Sequence, residues 1–171
     1  MTFEKVIGQH MQDAGLYDIW IECKILGPGV AEQVLSGKKH KKAMRCHKLT
    51  FQALWRIILP QFQQYVMTNN ANVYETLQLC TVNDIDDVIR NPDIMELLDE
   101  YIKQKSSNPN FEFMWTYMEM VWILLLFTHA QRDGLWELHL YAFGRMLPFF
   151  FRYDHPNYSR WGAIYIAEMK S

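Results

Sequence analysis

The chain has 171 residues, half of them hydrophobic and 15% aromatic, and a formal net charge of -2. That length suits one domain with a real core, and the composition excludes disorder over most of it. The near-neutral balance gives no bulk drive toward nucleic acid or an anionic membrane, yet residues 1–70 hold nine Lys/Arg against five Asp/Glu, and residues 71–110 three against eight.

"TFEKVIGQHMQDAG" predicts a short opening helix, with Thr2 as its cap and Gly15 as its stop. Residues 16–26 alternate imperfectly and contain β-branched and aromatic residues, which favours a short strand or extended arm near 18–25. "GPG" turns the chain, and a short helix follows to Leu35, stopped by Gly37. From Lys38 to about Met67 the period is helical. Met44, His47, Phe51, Leu54, Trp55 and Ile58 share one face, and Pro60 is expected to kink or break the helix. "TNNAN" is a polar break, after which "DIDDVI" and "PDIMELLDEYIKQ" suggest short acidic helices, the second opened by Pro92. "KSSNPN" at 105–110 is a loop and the best internal boundary within a single helical domain. The last third reads as three antiparallel helices, joined at "RDG" (132–134) and "DHPN" (154–157), with a distortion near Pro148. The expected fold is therefore mainly α, an irregular helical bundle.

Three cysteines, Cys23, Cys46 and Cys80, lack CxxC spacing, which excludes a zinc signature and a disulfide framework and favours a reducing, intracellular setting. The opening residues contain no signal-peptide core. The longest apolar run, "MVWILLLF", is too short to span a bilayer, so no membrane partner is expected.

The strongest chemical signal is "KKHKKAMRCHK" at 38–48. Lys38, Lys39, Lys41, Lys42, Arg45 and Lys48 crowd one side of an amphipathic helix, a density that suits the phosphates of DNA or RNA and hence a nuclear or other intracellular role. The plainer readings are a solvated face, or a face pairing with the acidic 84–100 segment or with another protein. His40 and His47 fall toward the apolar side and read as packed residues.

Glu119 is the one charged residue between Glu112 and Arg132, on a helix expected to be buried. Folding back about the 132–134 turn brings Arg145 opposite and predicts a Glu119–Arg145 pair, with His139 or Arg152 as alternates. A structural ion pair is the plainer reading, and a general base the sharper one. A metal site from His129, His139 and Asp133 or Glu137 lacks the usual ligand spacing, and no phosphate loop, dinucleotide fingerprint or nucleophile elbow is present, so neither a metal nor a cofactor is expected. In "YDHPNYSRW" (153–161), Asp154, His155 and Ser159 look catalytic. Pro156 and the aromatic spacing instead describe a loop entering a helix, and a Ser–His contact alone is not a catalytic system.

The same region resembles large uncharacterised animal proteins, especially from fish and cnidarians, and more distantly a fungal domain of unknown function. The shared pattern comprises Arg132, Gly134, Trp136, Leu138, His139 and Leu140, then Pro148, Tyr153, Asp154, Asn157, Tyr158, Arg160 and Trp161. "VLSGKKHKKAMRCHKLTFQAL" is similar to a second segment of those proteins, and the resemblance covers roughly 16–169. They look transposon-derived and related to RNase H-like transposases, whose acidic triad binds divalent metal. In them the chain continues into another acidic segment, whereas this one stops at Ser171 and lacks the alternating strands of such a core. The resemblance therefore implies a helical accessory or inserted region of a larger protein rather than a complete enzyme, with a metal-dependent transposase or nuclease fragment, active only when completed elsewhere, as a further reading. The alanine common at Ser159 in those proteins weakens a serine nucleophile there.

Overall fold

A computed structural model describes residues 2–11, 14–35, 38–80, 88 and 90–170, with the backbone alone for Thr2, Glu32, Leu35 and Lys170. Among the described residues the fold is all-helical. The helices are α1 (Thr2–His10), α2 (Leu16–Glu22), α3 (Pro28–Leu35), α4 (His40–Asn69), α5 (Ala71–Leu79), α6 (Pro92–Lys105), α7 (Pro109–Asp133), α8 (Trp136–Arg152) and α9 (Pro156–Lys170). They form two compact units, Met1–Phe51 with Thr116–Ser171, and Gln52–Trp115. The 105–110 segment lies inside the second unit, and most of "DIDDVI" lies outside the described residues.

The strand expected near 18–25 does not form: the chain is helical to Glu22 and then turns over residues 23–26. Leu16, Tyr17 and Trp20, at i, i+1 and i+4, are all buried, while Ile19 is left 49% exposed. Burial of one helical face thus overrides the local preference of the isoleucines for extended backbone. Gly15 does not end α1, which stops at His10; it sits at φ 66 and starts α2. After α2, the N–H groups of Ile25 and Leu26 both donate to the Trp20 carbonyl and turn the chain.

In the first unit, α7 is the central element. By length and composition it would suffice to cross a membrane. Here it serves as a core helix, with Tyr117, Met120, Val121 and Leu124 each inaccessible to solvent. Gly134, at φ 69, reverses the chain into α8. Phe127 of α7 meets His139 and Phe143 of α8, so the two helices run antiparallel. Contacts of Phe150 with Tyr158, and of Phe143 with Tyr165, set α9 antiparallel to α8. Phe3 of α1 packs edge-on against Phe149 and Phe150.

The second unit is built around Tyr101, which is fully buried and meets Phe62, Tyr65 and Phe111 at ring-centroid distances of 5.5, 5.4 and 6.2 Å. Ile58, Phe62 and Val66 recur every four residues along α4 and are buried, as are Ile94 and Leu97 of α6. Of the kink or break expected at Pro60, the break does not occur, because α4 runs through it. Proline removes one donor, and both Pro60 and Arg56, whose carbonyl loses its partner, are exposed where water can serve it. The "TNNAN" break narrows to Asn70, whose side chain accepts from the Val73 N–H and caps α5. Asn91 caps α6 in the same way, ahead of Pro92.

The Tyr101 hydroxyl is buried with no hydrogen-bond partner among the described residues. Tyr101→Phe removes that orphan group while keeping the ring contacts, and should stabilise the protein by about 1 kcal/mol in denaturant unfolding.

Candidate nucleic-acid interface

The first three turns of α4 divide into two faces. Ala43, Cys46 and His47 are buried, whereas Lys41, Lys42, Arg45 and Lys48 are exposed, as are Lys38 and Lys39 just ahead of the helix. Lys41, Arg45 and Lys48 stand at i, i+4 and i+7, and so form one stripe about 10 Å long. That length matches roughly three phosphate rises along one strand of a duplex. Among the described residues, none of the six cations joins an ion pair.

Buried polar groups fix this helix from beneath. The Trp20 Nε1–H donates to Thr50 Oγ1 at 2.9 Å. The Tyr117 hydroxyl lies 3.0 Å from His47 Nδ1. Burial pushes the His47 pKa down to about 4, so its ring is neutral near pH 7, and raises that of Tyr117. At the start of α4, His40 Nδ1 lies 2.7 Å from Glu4 Oε1, a carboxylate buried on α1. Burial also raises the Cys46 thiol pKa, against the pull of Arg45 and Lys42, which gives it no nucleophilic character.

The family model for DUF8702, a domain of unknown function, matches residues 1–171. The chain belongs to that family. No curated protein and no solved structure matches it.

Elsewhere in this DUF8702 chain the structure brings Glu119 and Arg145 together, with Arg145 Nη2 donating to Glu119 Oε1. The side chains are 36% and 51% exposed, so Glu119 is not the buried carboxylate expected, because its side of α7 also leaves Trp122 half open to solvent. So exposed a pair contributes little to stability. The alternates lie elsewhere, Arg152 over the Tyr153 ring and His139 among aromatic rings.

In the 153–161 stretch, Ser159 Oγ donates to the Pro156 carbonyl, and His155 Nε2 lies 3.3 Å from Gln9 Oε1. Serine and histidine thus have separate partners. Asp154 is exposed at φ 57 just past the end of α8, and the His155 carbonyl accepts from the Tyr158 and Ser159 N–H groups to begin α9. Of the residues considered for a metal, His129 pairs with Asp133 at 2.7 Å. Among the described residues no group of three or more His, Cys, Asp or Glu is placed to hold an ion.

Two features escape sequence reading. The Glu4–His40 contact joins segments 36 residues apart; its sequence signal is a lone acid among the apolar residues of α1. The second is a recess between α8 and α9, whose aromatic lining residues read one by one as packing.

Proposed function

We propose that this protein is a non-catalytic helical module that binds nucleic acid through the basic stripe opening α4. The observation that carries this reading is the cluster of six exposed cations at 38–48, none of them ion-paired among the described residues. Cations without carboxylate partners can release the counterions of phosphates at no loss of internal pairing. The hydrogen-bonded groups beneath α4 support the reading further, because they hold the stripe as a rigid surface. The resemblance to transposon-derived animal proteins favours such an origin, with this chain as an accessory region.

The test compares the wild-type chain with a Lys41→Glu, Lys42→Glu, Arg45→Glu variant for binding to duplex DNA and to single-stranded RNA. Each reversal removes one phosphate contact and adds a repulsion, so the affinity should fall by about a hundredfold or more while the unfolding midpoint stays close to wild type. Equal binding by the variant, or no binding by the wild type at low salt, would reject the stripe as the contact. Capture of a protein partner that the reversals abolish would transfer it to a protein-interaction role.

A further inference from the structure

We propose that the recess between α8 and α9 is a binding site for a neutral, flat heteroaromatic ring of the nucleobase class, adenine being the best match. The recess has a volume of about 600 Å³, within the range of small-ligand sites. One wall belongs to α8, where His139 and Phe143 line the recess and Trp136, outside it, continues their ladder of nearly parallel rings. Successive centroids are 5.5 and 6.4 Å apart, at interplanar angles of 11° and 16°. Across it stands Tyr165 of α9, at 78° to Trp136 and 81° to Phe143. Trp161 also lines the recess and is 64% exposed, leaving ring surface for a stacking partner.

The two helices meet closely at Gly162. A Cβ there would lie 2.5 Å from Leu147 Cδ2 and 3.1 Å from Phe143 Cζ. Glycine therefore allows the close approach that places the aromatic side chains of α8 and α9 around one shared space.

The polar groups select the ligand. No Lys, Arg, Asp or Glu lines the recess among the described residues, which disfavours a phosphate or a carboxylate as the anchored part. His139 and Asn157 supply hydrogen bonding, beside the hydroxyls of Tyr158 and Tyr165. An asparagine amide presents a donor beside an acceptor, the pairing that reads the N6/N7 edge of adenine. Aromatic faces supply the stacking. A flat ring with an adjacent donor and acceptor engages both, whereas an aliphatic ligand would use neither. This site stands on different residues from the basic stripe and needs no phosphate contact.

The test is titration of the full chain with adenosine, followed by calorimetry and by the indole N–H resonance of Trp161. Wild type should bind, with the Trp161 resonance shifting on saturation. Trp161→Ala and Asn157→Ala each replace an exposed side chain and should keep the wild-type circular dichroism, while weakening adenosine binding by about fivefold or more. Absence of adenosine binding by the wild type would overturn the proposal. So would binding that neither variant weakens, or tetramethylammonium binding where adenosine does not. Because adenosine carries no phosphate, loss of nucleic-acid binding in the stripe variant leaves this result unaffected.

Discussion

Replacing Trp20 with alanine should cost about 3–5 kcal/mol of unfolding free energy, measured by denaturant titration. The side chain is 1% exposed and packs edge-on against Tyr17 and His47, with centroids 5.1 and 5.2 Å away. The truncation leaves a large cavity and strips Thr50 Oγ1 of its indole donor. Trp20→Phe separates these effects. It fills most of the space but not the hydrogen bond, and should cost roughly 1–2 kcal/mol from the bond together with a smaller packing loss. The location matters for function, because Trp20 supports the underside of the helix whose outer face carries Lys41, Arg45 and Lys48. A loosened α4 is expected to weaken the nucleic-acid binding proposed for it even though Trp20 cannot touch a phosphate.

Acidification should destabilise the protein through His47. Its ring is buried and neutral, with a pKa lowered from 6.5 to about 4 by loss of solvent. Between those values the unfolded chain binds a proton that the folded chain does not, so stability is fully present above pH 6.5 and falls as the pH drops toward 4. The difference amounts to about 3 kcal/mol by the lower end. His47→Gln keeps a hydrogen-bonding group near Tyr117 and removes the titration. Its stability should therefore change about 3 kcal/mol less than wild type over the same interval. Parallel profiles for the two proteins would show that His47 does not carry this pH dependence. At the alkaline end the direction reverses. Tyr17 is raised to about 12, so its contribution is present below pH 10 and is lost as pH rises through the folded value.

Much of this architecture is written locally in the sequence. Asn91 followed by Pro92 specifies the start of α6, and Gly134 specifies the reversal between α7 and α8. Once that reversal is placed, the register of the hairpin puts Glu119 near Arg145 by geometry alone. What sequence does not reveal comes from contacts between distant segments. Residues 16–22 carry local features of a strand, and only the burial of Leu16, Tyr17 and Trp20 on a common face makes them helical. Glu119 reads as a buried charge because its neighbours are apolar, but hydrophobic surroundings in sequence do not decide which side of a helix meets solvent. The basic stripe is legible because its helical spacing and its charges lie within eleven residues. The α8–α9 recess is not, because it depends on how closely two helices approach at Gly162.

The most direct test of the central claim is the salt dependence of duplex DNA binding by the full chain. Three phosphates along one strand, or at most one for each of the six cations at 38–48, predict a slope of log K against log salt of about -3 to -5. The Lys41→Glu, Lys42→Glu, Arg45→Glu variant should show a slope shallower by about 2 to 3, along with its weaker binding. A wild-type affinity indifferent to salt, or the same slope in both proteins, would contradict phosphate recognition by α4.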